Sequence, residues 1–146
     1  MDVKRVLFLC TGNSCRSQMA EGLVNHYLPG EWKADSAGTE PAGYVHAMAV
    51  QVMCELGIDI SEQVSKSTDL FLEKVFDVVV TVCDDAAENC PVWLGQGRRV
   101  HVCFFDPAKA TGTDDERLAV FRQVRDEIRS RLVPLLVSES RVSSSF

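Results

Sequence analysis

Residues 9–22 read LCTGNSCRSQMAEG and hold two thiols, a glycine and an arginine between an apolar run and a helical pattern. Cys10 closes the apolar run and Arg16 opens the helix. The backbone N–H groups of Thr11, Gly12, Asn13, Ser14, Cys15 and Arg16 are therefore free to curl around a single oxyanion. Arg16 adds a forked cation matched to a tetrahedral oxyanion, and Gly12 is expected to supply a backbone conformation that other residues resist. The same positive surroundings, with a hydroxyl donor in Ser17, favour the thiolate form of Cys10. The expectation is a nucleophile facing a bound oxyanion. Cysteine, five residues and arginine is a common spacing, and its position between strand and helix is what gives it weight. The plainer reading is a buried strand-end cysteine beside a solvated arginine. No histidine lies nearby in sequence, and a loop that generates its own thiolate has no need of a cysteine–histidine pair.

The remaining cysteines stand at 54, 83, 90 and 103, and the histidines at 26, 46 and 101. There is no CxxC pair and no paired histidine spacing, so no metal site is expected. Near the N-terminus the longest apolar run is VLFLC, too short for a membrane span or a signal peptide, which places the chain in the cytoplasm as an expectation. Cytoplasmic thiols stay reduced, so six cysteines point to redox or nucleophilic chemistry rather than structural disulfides. The 146 residues, 46% hydrophobic and 25% charged, suit one compact domain over 1–137, with 138–146 as a flexible tail poor in apolar residues. A net charge of −6 argues against nucleic acid or an anionic membrane as partner. A monomer is the default for a domain of this size.

The elements that must position the thiol alternate along the chain. KRVLFL (4–9) reads as a strand, and residues 17–28 as a helix through Met19, Leu23, Tyr27 and Leu28. WKADSAG (32–38) is a second strand, and a helix over about 43–56 stops at Gly57. FDVVVTVC (76–83) carries the consecutive valines of a strand buried on both faces, RVHVCFF (99–105) is the fourth strand, and a last helix runs from Asp114 to Leu136 with a bend or end at Pro134. The fold class that follows is α/β: a four-stranded parallel sheet covered by helices on both faces, with ligands beyond the carboxyl ends of the strands.

CTGNSCRSQMAEG, then SAG at 36–38, GIDIS at 57–61, VVTVCDDAAENCP at 79–91, FDPA at 105–108 and VRDEI at 124–128 together resemble the thioredoxin-coupled arsenate reductases. Those enzymes are built on the low-molecular-weight tyrosine phosphatase fold, and the likeness runs to about residue 137. It implies that Cys10 attacks the arsenic of arsenate while Asp106 protonates the departing oxygen. Cys83 then attacks Cys10, releasing arsenite, and Cys90 attacks Cys83. Reducing arsenate takes two electrons, and two thiols closing to a disulfide supply that number. No bound cofactor is implied; electrons come from thioredoxin, and phosphate or sulfate are arsenate analogues. The resemblance also implies mobility over 81–98. Some members support the loop with potassium near the positions matching Asn13, Glu21 and Ser36. Here Lys33, close in sequence to Ser36, is expected to replace that ion by pairing with Glu21.

The chain departs from the pattern before Asp106, where VHVCFF stands in place of a stretch that often holds tryptophan, glycine and a further aspartate. Cys103 is expected as a buried strand residue, and Cys15 and Cys54 as bystander thiols. Outside the resemblance, Asp106 before a proline reads as a turn residue. Two alternatives to an arsenate reductase stand beside it. A low-molecular-weight protein tyrosine phosphatase needs only Cys10, Arg16 and Asp106, but no aromatic pair follows DP. A noncatalytic oxyanion or redox sensor leaves the acid and the resolving thiols without a use.

Overall fold

The computed structural model describes residues 3–83, 93 and 95–144; Cys90 therefore lies outside the described residues. Strands β1 (Lys4–Cys10), β2 (Trp32–Gly38), β3 (Val78–Thr81) and β4 (Arg98–His101) form one parallel sheet in the order β2-β1-β3-β4. The chain places β2 on one side of β1 and then crosses to the other side for β3. The loop after β1 consequently lies at the point where strand order reverses, the usual ligand crevice of such sheets.

Alternation along β1 divides the core. Val6, Phe8 and Cys10 face a large cluster supplied by helices α1 (Arg16–Tyr27), α2 (Ala47–Cys54) and α3 (Asp114–Ser144), with Met19, Met53, Phe121 and Ile128 fully buried. Leu7 and Leu9 face the other way. Among the described residues that second face, continued by Ala37 of β2 and Val79 of β3, is covered by Phe71, Phe76 and Trp93, with a one-turn 3-10 helix at Thr68–Phe71. Edge-to-face ring contacts tie Phe76 to Phe71 and to Trp93, with centroids 5.9 and 6.2 Å apart.

Several boundaries differ from the sequence expectation. Helix α2 begins at Ala47 rather than near residue 43, because His46 caps it by accepting the Met48 N–H on its side chain at 3.1 Å. The residues before it instead support the first loop, Glu40 N–H and Ala42 N–H donating to Thr11 O and Gly12 O. Strand β4 ends at His101, so Cys103 lies past the strand and is exposed rather than buried. Helix α3 does not stop at Leu136; it continues through Pro134 to Ser144. The expected tail is anchored by Trp32, whose indole N–H lies 3.2 Å from Leu136 O and 2.8 Å from Ser140 Oγ. Buried Arg125 joins α3 to α2 by donating to Val52 O and Glu55, each at 2.8 Å. No helix among the described residues is long and apolar enough to cross a membrane.

Candidate active site

Cys10 ends β1 at 2% exposure, and the loop that follows brings two donors to its sulfur. Asn13 N–H lies 3.1 Å from Cys10 Sγ and Ser17 Oγ lies 2.9 Å away. The first contact depends on Asn13 adopting a left-handed conformation, φ 49°. This corrects the expectation for Gly12, whose φ is not positive: the unusual backbone belongs to the residue after it. Asparagine tolerates that region better than most residues, and here its carboxamide is fully engaged. Oδ1 accepts from Lys66 N–H at 2.8 Å and from Gln18 Nε2 at 2.9 Å, while Nδ2 donates to Ser17 Oγ at 2.8 Å.

The SAG stretch acquires a steric reason. A Cβ added at Gly38 would lie 2.4 Å from Thr11 O and 3.1 Å from Asn13 N, so any side chain there would displace the loop. Ser36, two residues earlier on the same face of β2, donates to Glu21 Oε1 at 2.7 Å. Glu21 and Ser36 do meet, but Lys33 does not join them. It stands three residues from Ser36 along a strand, hence on the opposite face, and is exposed. Lys66 takes that place, with Nζ 3.6 Å from Glu21 Oε1. Burial pushes the Glu21 carboxyl up, against the opposing pull of Lys66 and of the Ser36 hydroxyl.

A cavity of about 260 Å³ is lined by residues 10–16, Asp106 and Lys109. Arg16 is 3% exposed and is held at both ends of its fork, Nη1 donating to Phe104 O at 3.3 Å and Nη2 lying 3.7 Å from Asp106 Oδ2. Asp106 caps the 3-10 turn Pro107–Lys109 by accepting the Ala108 N–H on Oδ1 at 3.0 Å. Turn residue and cavity carboxylate are thus the same side chain: one oxygen holds the turn, and the other faces Arg16. Lys109, which sequence reasoning missed, enters because the turn after Asp-Pro brings a residue three positions on back to the cavity.

Cys15 is buried, and its thiol is pushed up to about 12, chiefly by burial, with Asp106 and Cys10 adding to the effect against Ser14 and Arg16. It therefore stays protonated at neutral pH beside the loop. Cys54 and Cys103 are exposed thiols away from the cavity lining. Cys83 follows β3, is fully buried and is disulfide-bonded, whereas Cys10 is a free thiol.

The model of the low molecular weight phosphotyrosine protein phosphatase family matches residues 5–144. Among curated relatives, the arsenate reductase of Halalkalibacterium halodurans is 55% identical over 132 residues, covering 90% of this chain and 94% of that protein. A solved structure described as an arsenate reductase in the phosphate binding state superposes with a TM-score of 0.78 at 36% identity, covering 93% of this chain and 98% of that one. The thioredoxin-dependent arsenate reductase of Corynebacterium glutamicum aligns with a TM-score of 0.69 at 26% identity, over 98% of this chain and 64% of that one.

Proposed function

This chain belongs to the low molecular weight phosphotyrosine protein phosphatase family, and within it we propose that the protein is an arsenate reductase, drawing its electrons from thioredoxin. The observation that carries this reading is the pairing of an anion cavity holding a free Cys10 thiol with an oxidised Cys83. A phosphatase has work for the first and none for the second.

Arsenate would be held by the loop amides and the Arg16 fork, with Lys109 adding charge at the rim. Cys10 thiolate, fed by donors from Asn13 and Ser17, attacks arsenic; an oxygen leaves as water after taking the proton of Asp106. Cys83 thiolate then attacks the Cys10 sulfur. The sulfur–arsenic bond breaks with its electron pair staying on arsenic, and arsenite departs from a Cys10–Cys83 disulfide. Cys90 thiolate attacks Cys83, expelling Cys10 as thiolate and leaving Cys83 and Cys90 oxidised. A free Cys10 together with a disulfide-bonded Cys83 is the state such a sequence leaves behind. Thioredoxin, a dithiol, returns the two electrons. We take the protein to work as a cytoplasmic monomer that binds no nucleic acid, in line with its net charge of −6.

The test is NADPH oxidation coupled through thioredoxin reductase and thioredoxin, in wild type and Cys90→Ala, with hydrolysis of p-nitrophenyl phosphate followed in parallel. Arsenate-dependent turnover that collapses in the variant, with ester hydrolysis spared, is the expected result. Brisk ester hydrolysis without arsenate-dependent oxidation would make the site a phosphatase.

A further inference from the structure

Beneath the anion loop three side-chain amides stand end to end, and backbone groups fix the direction of each. Lys66 N–H only donates, and it meets Asn13 Oδ1 at 2.8 Å, so Asn13 turns Nδ2 to Ser17 Oγ. Val64 O and Asn13 O only accept, and they lie 3.0 and 3.1 Å from Gln18 Nε2, which also donates to Asn13 Oδ1. Gln18 O likewise only accepts and lies 3.0 Å from Gln63 Nε2, which donates to Gln18 Oε1 at 2.8 Å. Donors and acceptors are therefore assigned at every link by partners that have no choice. The chain runs one way, from Gln63 to Gln18, to Asn13, to Ser17. Because the Ser17 oxygen accepts from Asn13, its own proton is directed to Cys10 Sγ, 2.9 Å away.

We propose that Gln63 is a positioning residue for the Cys10 thiolate, the outer end of a polarised hydrogen-bond chain that holds Asn13 left-handed and aims the Ser17 hydroxyl at the sulfur. Gln63 is half-buried and is not among the residues lining the cavity, so it acts only through the others. Bonds aligned head to tail reinforce one another, so removing the outermost donor weakens the innermost bond. The segment carrying Gln63 is itself fixed to the loop: Ser65 Oγ donates to Gly12 O at 3.3 Å, and Gly38 N–H donates to Lys66 O at 2.8 Å. Gln63→Met keeps the stem and removes the donor. Gln63→Glu keeps the shape and sets an acceptor against the two acceptors Gln18 O and Gln18 Oε1, opposing the direction of the chain.

The inference rests on Cys10 being the nucleophile, so the test reads that thiol without arsenate. Iodoacetamide alkylation of Cys10 is followed by peptide mass across pH, with exposed Cys54 in the same molecule as internal standard. Gln63→Met should slow Cys10 alkylation at pH 7 by roughly two- to tenfold, the equilibrium equivalent of one net hydrogen bond. Gln63→Glu should slow it further. In both, the rate at high pH, where the thiol is fully ionised, should match wild type, which a loosened fold would not produce. Superimposable pH profiles in wild type and in whichever variant folds would overturn the role of Gln63 alone. A wild-type Cys10 no faster than Cys54 at pH 7 would overturn the nucleophile reading, and this inference with it.

Discussion

The two faces of the sheet are built to different standards. On one, three helices bury Val6, Phe8 and Cys10, and the loop after β1 is tied to β2, α1 and residues 63–67 by donors and acceptors with assigned roles. On the other, the described cover is a short aromatic cluster of Phe71, Phe76 and Trp93 over Leu7, Leu9 and Val79. An oxyanion site gains from rigidity, since donors already aimed at the anion need no reorganisation when it arrives. Thiol exchange makes the opposite demand, because one sulfur must meet two partners in turn. Cys10 belongs to the well-tied side, while Cys83 follows β3, whose paired span ends at Thr81. The difference teaches that on a phosphatase-like scaffold the tied anion loop and the thiol proposed for exchange leave the sheet from different strands, so the second can be altered without rebuilding the first.

Substituting the cysteines gives the largest effects and is the sharpest way to break this division. Cys10→Ser should lower both arsenate reduction and p-nitrophenyl phosphate hydrolysis by more than about a thousandfold. Cys83→Ser should abolish reduction to the same degree while leaving ester hydrolysis within about twofold of wild type, as expected for a group outside the anion site. Loss of both activities in Cys83→Ser would mean that the two sides are not separable. Stability sharpens the comparison next. Phe121→Ala on the helical face should cost about 4 kcal/mol and Phe76→Ala on the aromatic face nearer 3 kcal/mol, read by urea unfolding. Equal costs would show the thinner cover to be as well packed as the thicker.

The smallest effect concerns His46, which caps α2 and donates its backbone N–H to Ser14 O at 3.0 Å. Its ring accepts a hydrogen bond and so must be neutral. Burial and then Arg117 hold its pKa below the usual 6.5, with Asp106 pulling the other way. The neutral cap therefore contributes stability that is present above the unfolded value and is lost as pH falls through the lower folded one. His46→Ala should cost about 1 kcal/mol at pH 8 and progressively less toward pH 5, where wild type loses the same contact. A cost independent of pH would remove the cap as its cause.

Much of the site was legible because it depends on local order. A strand ending in Cys10, a loop and a helix starting at Arg16 follow from apolar spacing, and the anion cradle follows from their junction. Asp106 required the family resemblance, since Asp-Pro after a strand is also ordinary turn chemistry. What escaped depends on which way side chains face. Lys33 is near Ser36 in sequence but on the wrong face of β2, whereas Lys66, thirty residues from Ser36, arrives by chain folding. Cys103 looked buried because the apolar run continues to Phe105, but pairing ends at His101 and alternation then exposes it. Pro134 suggested an end to α3 because proline lacks the helical donor, but Leu136 is fully buried and Trp32 holds the segment beyond.

The placement of the chain's two tryptophans turns this asymmetry into something visible by eye of a fluorimeter. Trp32 lies in the helical core with its indole hydrogen-bonded to α3, and Trp93 packs against Phe76 in the aromatic cluster. Each face thus carries its own chromophore. Replacing either with phenylalanine leaves an emission dominated by a single side, so the unfolding of the two faces becomes separately observable in an unlabelled protein.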